Sequence, residues 1–369
     1  MKKGWTYKKL GEVCEKSKNI NWNNITAGEQ YIYIDLSSVD RDSLSITDPQ
    51  IIDKTNAPSR AKQIVKNGDV IFATTRPTLR RLCLIPLSFD SQICSTGFCV
   101  LRPKKDIDPR WIYYTLQGDK FYQYIEPLQT GASYPAVTDG IVKEYSILIP
   151  PLSEQKRIVS RLDSAFAHID ALKANAEKQL SDAKALFQKA LEKAMEPKEG
   201  WEEKTIEYFA KIIHGKNQKE VLDDNGLYPI YGSGGNIMGY ANSYLCDEGT
   251  TILGRKGTID NPMYIEEKFW NVDTAFGIIA KDNCNKKFLF YSIKKIDWAK
   301  HNTGTTLPSL TQNVVYNIEM CAPSLSEQQK IVSRLDSLSE NVKKLQEVLD
   351  KTIKECDALK QAILRQVFE

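Results

Sequence analysis

LSEQKRIVSRLDS, residues 152–164, returns as LSEQQKIVSRLDS at residues 325–337, with two of thirteen positions changed and a shift of 173. The same shift runs upstream without a gap. Thr130-Gly131 aligns with Thr303-Gly304, Pro135 with Pro308, and Thr138 with Thr311. A looser echo, Gly4-Trp5 and Gly200-Trp201, opens the two segments. The chain therefore reads as one plan used twice: a globular part, then a long helix. The period is far too long for a solenoid. The helical parts match well, whereas residues 6–129 and 202–302 match poorly. One scaffold thus carries two different surfaces.

From Ile158 the apolar residues fall at alternating spacings of four and three: Ile158, Leu162, Ala165, Ile169, Leu172 and Ala176, then Ala183, Leu186 and Ala190, with Gln179 interrupting. The second copy gives Ile331, Leu335, Leu338, Val342, Leu345 and Leu349, then Leu359 and Ile363. This is the spacing of a coiled-coil seam. A lone helix would leave such a stripe wet, so the two helices are expected to bury their stripes against each other. Pro150-Pro151 precede the first helix, with Ser153 as its expected N-cap. Ser326 with Gln329 forms an expected capping box for the second. The first helix should end near Met195, before Pro197 and Gly200.

The predicted fold class is α+β: two β-rich globular segments, each followed by a long helix, with the helices paired as an antiparallel coiled coil. The expected boundaries are 1–150, 151–199, 200–323 and 324–369. In the first segment Tyr31–Leu36, Asp69–Ala73, Phe98–Leu101 and Tyr145–Ile149 read as strands and Trp111–Tyr124 as helix. In the second, Thr250–Leu253, Ala275–Ile279 and Asn317–Met320 read as strands and Phe288–Lys295 as helix.

Composition excludes more than it selects. At 369 residues the chain has room for two cores, and 41% hydrophobic and 26% charged residues are ordinary for a globular protein. No apolar run reaches the ~20 residues that span a bilayer. Met1-Lys2-Lys3-Gly4-Trp5 is not followed by the apolar stretch of a signal peptide. The cytoplasm is the expected location. The eight cysteines lack a CxxC pair and only three histidines are present. No metal site is expected, and the thiols read as buried and free. Residues 1–150 carry 20 basic and 16 acidic side chains, and residues 200–324 carry 13 and 15. Any nucleic-acid face must come from local placement of charge in a near-neutral fold.

Several loops mix glycine with hydroxyl and basic residues. Glycine admits close approach to a phosphate, and arginine, lysine and small hydroxyls pair with phosphates and base edges. The candidate DNA-binding residues are Thr75, Arg76, Arg80, Arg81, Thr130, Ser133 and Tyr134 in the first segment. In the second they are Ser233, Arg255, Lys256, Thr303, Thr305 and Thr306. Ordinary turns use the same residue types, but the Thr-Gly loop occupies matched positions in both copies. No candidate catalytic residue emerges. There is no GxxxxGK[ST] loop, no dinucleotide fingerprint and no GxSxG. Asn261-Pro262-Met263-Tyr264 approximates an adenine methyltransferase motif but lacks its second proline.

With these features the chain resembles the specificity (S) subunits of type I restriction-modification systems. The resemblance spans essentially the whole chain. It is most specific at Pro151-Leu152-Ser153-Glu154-Gln155, followed by Ile158 and Leu162, and at Leu325-Ser326-Glu327-Gln328. Tyr228-Pro229-Ile230-Tyr231-Gly232, residues 252–257 and residues 269–274 are also similar. Thr75-Arg76 and Ser95-Thr96-Gly97-Phe98 give a fainter version in the first segment. The resemblance implies that each globular segment is a target-recognition domain reading half of a split, asymmetric site in double-stranded DNA. It implies that the paired helices set the unread spacer and dock two methyltransferase subunits, with motor-nuclease subunits joining. S-adenosylmethionine, ATP and magnesium would belong to those partners, and this chain would hold no cofactor. Two other readings stand beside it: a DNA-modifying enzyme with its own active site, and a coiled-coil scaffold with no DNA role.

Overall fold

The computed structural model describes residues 4–368; Met1-Lys2-Lys3 and Glu369 lie outside them. Its helices include α1 (Pro109–Thr115), α2 (Leu152–Ala194), α3 (Lys286–Lys295) and α4 (Leu325–Phe368). Its strands include β1 (Val70–Ala73), β2 (Phe98–Pro103), β3 (Thr250–Gly254) and β4 (Ala275–Ala280). Packing divides the chain into two units. The first is Met1–Ala176 with Lys351–Glu369, and the second is Glu177–Asp350. The long helices are therefore not bodies of their own, as the expected boundaries had them. Each is divided between the units, because its apolar side is completed by a globular core.

The first unit contains a four-stranded antiparallel sheet in which β2 lies between Cys14–Glu15 and β1, with Leu82–Leu84 outside β1. Phe98 pairs with Ala73 and Leu101 with Val70. All four residues of β1 are buried, because its faces serve two cores. Val70 and Phe72 pack with α1 and the helices, while Ile71 and Ala73 face a second cluster around Ile34 and Val39. The second unit repeats this sheet: β4 lies between Ala210–His214 and β3, with Met263–Ile265 outside. Each unit also pairs its opening strand with its closing one, Thr6–Lys9 with Ser146–Ile149 and Glu202–Thr205 with Glu319–Ala322. The divergence lies in the added sheets. The first unit has a five-stranded one built on Tyr31–Ile34, and the second a three-stranded one built on Tyr228–Tyr231.

Several local expectations are corrected. Trp111–Tyr124 is not one helix; it breaks after α1, and Gly118 caps a second helix, Asp119–Ile125. The strand expected at Asn317–Met320 is Glu319–Ala322, and Asn317 instead closes the helix Gln312–Tyr316. Ser153 and Ser326 lie inside their helices. Pro151 lends its carbonyl to the first turn of α2, and Ser324 stands before α4, its hydroxyl accepting from Glu327. Gln329 does not complete a capping box; its side-chain oxygen accepts from Asn285.

The repeated Gln of the LSEQ motif has a physical role. The Gln155 side chain, fully buried, accepts from the Asp108 amide at 2.9 Å and donates to the Pro150 carbonyl at 2.8 Å. Gln328 does the same with the Asn285 amide at 2.7 Å and the Pro323 carbonyl at 2.9 Å. Asp108 and Asn285 are the N-caps of α1 and α3. One amide therefore fastens the start of each long helix to the start of a short one. One helical turn pair further on, Asp163 accepts from Tyr114 at 2.6 Å and pairs with Arg110. Asp336 accepts from Tyr291 at 2.7 Å and pairs with Lys287.

In the first unit the start of α2 packs with the end of α4: Val159, Leu162, Phe166 and Ile169 cluster with Cys356 and Leu364. In the second unit the end of α2 and the residue after it pack with the start of α4, Leu191 and Met195 with Val332 and Leu335. The pairing is antiparallel, but its stripe is displaced from the expected one. The shared column is Leu162, Ile169 and Ala176 in α2, with Leu335 and Leu349 in α4, all buried. Its companion column is Val159, Phe166, Lys173, Leu180 and Phe187, one residue along from the expected Ile158, Ala165, Leu172, Gln179 and Leu186. In α4 the companion is Val332, Ser339, Gln346, Ile353 and Lys360. Leu172, Leu186, Leu345 and Leu359 are 58%, 61%, 39% and 50% exposed and do not belong to the seam. Ile158, Ile331, Leu338, Val342 and Ile363 are half-buried. Polar residues hid the true column. Lys173 pairs with Asp357 at 2.8 Å, and Lys360 pairs with Asp170 and lies 5.4 Å from the Phe166 ring centre. Each runs its stem along the seam and carries its ammonium to a carboxylate on the other helix.

Phe166→Ala is expected to cost about 3–5 kcal/mol of unfolding free energy, and Leu172→Ala under about 0.5 kcal/mol. Urea denaturation of both variants checks this; equal losses would restore the outer stripe.

Candidate nucleic-acid interface

In the first unit the loop leaving β1 meets the Thr-Gly loop. The Arg76 amide donates to the Pro135 carbonyl at 2.6 Å and the Val137 amide to Thr74 at 2.9 Å. Thr130 and Ala136 exchange both backbone hydrogen bonds at 2.9 Å, and Thr75 bridges Ala136. In the second unit the loop leaving β3 does the same. The Gly257 amide donates to Pro308 at 2.9 Å, Leu310 to Arg255 at 2.8 Å, and Thr303 to Ser309 at 2.9 Å. Positions 74–76 therefore correspond to 255–257, and 130–137 to 303–310. Two dissimilar surfaces are hung on one set of backbone bonds.

Glycine is required at the matched turn. Gly131 has φ +93°, and a Cβ there would stand 3.0 Å from the Tyr134 carbonyl oxygen. A Cβ on Gly304 would stand 1.9 Å from the Leu307 carbonyl oxygen. Asn302 closes the second loop, its side-chain oxygen accepting from Gly304 and Ser309, both at 2.8 Å. A third loop joins the second unit's cluster. The Gly232–Asn236 turn brings Ser233 beside Gly254 and Gly257, and Asn261 donates to the Gly234 carbonyl at 3.4 Å.

The candidate residues separate by what their side chains already do. Arg76 is exposed and lies over the ring of exposed Tyr134, 4.7 Å from its centre. Ser133 and Thr130 are exposed on the same loop. Arg80 is held by Asp119 at 2.8 Å and lies 4.2 Å over Tyr122, while Arg81 donates to the Leu36 carbonyl. These two guanidiniums belong to the scaffold of the unit, and their adjacency to Arg76 in sequence concealed that. In the second unit Lys256, Thr305 and Thr306 are exposed, and Thr303 is exposed with its hydroxyl donating to Ser309. Arg255 is half-buried, with its guanidinium 3.4 Å from the Asp273 carbonyl. Leu307, Thr258 and Asn302 were not among the sequence candidates. The shift of 173 that pairs Thr130 with Thr303 also pairs Tyr134 with Leu307, and this was the available signal.

Asn261-Pro262-Met263-Tyr264 does not form a catalytic loop at the end of a parallel sheet. It enters the antiparallel edge strand Met263–Ile265, with Tyr264 against Phe290. The cysteines form no disulfide and seven of the eight are buried. Burial pushes the thiols of Cys14, Cys83, Cys246 and Cys284 up to about 12, which leaves them unreactive at neutral pH.

The family model of the type I restriction modification DNA specificity domain matches residues 2–181 and again 198–355. The chain belongs to the type I restriction-modification DNA specificity family. The double match follows the duplication seen in the packing. Among specificity subunits, StySPI of Salmonella potsdam is 24% identical over 319 residues, covering 74% of this chain and 68% of its own length. A Mycoplasma pneumoniae protein described as a type I specificity subunit is 27% identical over 247 residues, covering 63% of this chain and 65% of its own length. The chain thus aligns with about two thirds of these curated relatives. A chain from a solved structure of a type I R-M system, described for its complex assembly and conformational transition, superposes with TM-score 0.85 at 26% identity. It covers 99% of this chain and 97% of that one. The HsdS subunit of Thermoanaerobacter tengcongensis gives TM-score 0.59 at 26% identity, covering 100% and 97%. Among the described residues no helix is long and apolar enough to cross a membrane.

Arg76→Ala is expected to weaken DNA binding by this chain and to lower its salt slope by about one, with folding unchanged. Arg80→Ala is expected instead to cost about 1 kcal/mol of stability. Salt-titrated binding and thermal unfolding of the two variants separate the roles; the reverse assignment would place Arg80 on the DNA.

Proposed function

We propose that this chain is the non-catalytic DNA-reading subunit of a type I restriction-modification complex. Each unit reads one half of a split, asymmetric site in double-stranded DNA. The helix pair sets the unread spacer and docks two methyltransferase subunits, and motor-nuclease subunits complete the complex in the cytoplasm. S-adenosylmethionine, ATP and magnesium serve those partners, and this chain holds none of them.

One observation carries the reading: the same backbone hydrogen bonds support two different sets of exposed side chains. An enzyme needs one convergent set of reacting groups, whereas a reader of two unlike half-sites needs two divergent surfaces on one frame. The family membership gives that frame its chemistry. Arginine, lysine and hydroxyl groups on glycine-bearing loops are the donors that phosphates and base edges accept.

The test is to express the chain with its methyltransferase partner and map methylated adenines across a genome. A bipartite motif with a fixed spacer is expected, and no methyl transfer by the purified chain alone. Methylation by the isolated chain overturns the reading. Removing one heptad from each helix, residues 176–182 and 349–355, keeps the seam in phase and shortens the pair by about 10 Å. The mapped spacer is then expected to shorten by about three base pairs with both half-sites unchanged. An unchanged spacer would mean that the helices do not measure it.

A further inference from the structure

The Thr-Gly loops place one large apolar side chain in water at the same point of each unit. TGASYPAVT at 130–138 and TGTTLPSLT at 303–311 share their glycine turn, their proline and their backbone bonds. Between these fixed points stands Tyr134, 68% exposed, and at the equivalent position Leu307, 60% exposed. Neither has a role in the core of its unit. The proline after each is bonded to the neighbouring loop, by the Arg76 amide to Pro135 in one unit and the Gly257 amide to Pro308 in the other, and each loop is closed at its base, Thr130 to Ala136 and Thr303 to Ser309. Such a residue is presented outward from a loop tied at its base, while its identity differs between the two copies.

We propose that residues 134 and 307 are the apolar base-contacting determinants of their respective half-sites. This rests on the DNA-reading function proposed above. The apolar feature that a base pair offers in the major groove is the thymine methyl group, and an aromatic ring or a leucine meets it without a polar group to desolvate. Tyr134 has a second task. Its ring supports the Arg76 guanidinium at 4.7 Å, which leaves that group less freedom to lose on binding. Leu307 offers no such platform. The exposed cation of its cluster, Lys256, stands on the adjoining loop at the position equivalent to Thr75. The first unit thus presents an arginine fork stacked on a ring, and the second a leucine beside a lysine.

The experiment uses the complex of full-length chain and methyltransferase partner on a DNA library randomised across both half-sites. Tyr134→Ala is expected to relax discrimination by about 5- to 100-fold at one or two positions of one half-site only, and Leu307→Ala to do so in the other half-site only. Tyr134→Phe keeps the ring and is expected to retain the wild-type profile. Thermal unfolding checks that the alanine variants remain folded, as the exposure of both side chains requires. An unchanged profile in both alanine variants overturns the proposal, as does a loss of binding that is uniform over all sequences. A wild-type complex that selects no bipartite site would instead overturn the proposed function itself.

Discussion

The buried carboxamide at the entry of each long helix sets where the globular part attached to it stands. Gln155 and Gln328 each join the entry of a long helix to the entry of a short one, satisfying backbone groups that burial would otherwise leave unpaired. The acidic residues Asp163 and Asp336 repeat the fastening further along the same helix. Polar anchors of this kind are directional in a way that apolar packing is not, so they define the orientation of a globular part on its helix. Within each unit the loop cluster hangs from the same strands that pack against those helices, and it inherits their rigidity.

The plan of the molecule was largely readable in the residues. The shift of 173 announced the duplication, and the glycines, prolines and threonines at matched positions announced the paired loops. The seam was readable only in part. Two columns of the long helices obey the same heptad spacing, and apolar count favoured Ile158, Ala165 and Leu172 over Val159, Phe166 and Lys173. Hydrophobicity alone cannot register a lysine whose stem is buried and whose ammonium meets an aspartate on the other helix, as at Lys173 and Lys360. The stops were lost for a similar reason. Gly118 inside an apolar run looks like a tolerated defect until the chain around it turns.

Among the candidate contacts, residue type was readable and engagement was not. Arg76, Arg80 and Arg81 are equal in sequence. Only the fold shows that Asp119, Tyr122 and the Leu36 carbonyl take the latter two. Leu307 is the reverse case, an apolar residue exposed in a polar loop. It stands out once the backbone bonds of the two Thr-Gly loops are laid side by side. Differences between the units lie in the sheets added beyond the shared four strands, where the sequences show no alignment and each cluster has its own core.

Chain order adds a temporal asymmetry. The second unit is one uninterrupted segment, whereas the first is completed by Lys351–Glu369, a segment remote in sequence from its other residues. Phe368 sits 4.8 Å from Trp111, and Leu364 and Cys356 fill the same core as Phe121 and Phe166. During synthesis residues 4–176 emerge before residues 351–368, so the first unit must wait for the C-terminal turns of α4 before its interior can close. Truncation near residue 350 would therefore injure the first unit, far away in sequence, and leave the second with all its own parts.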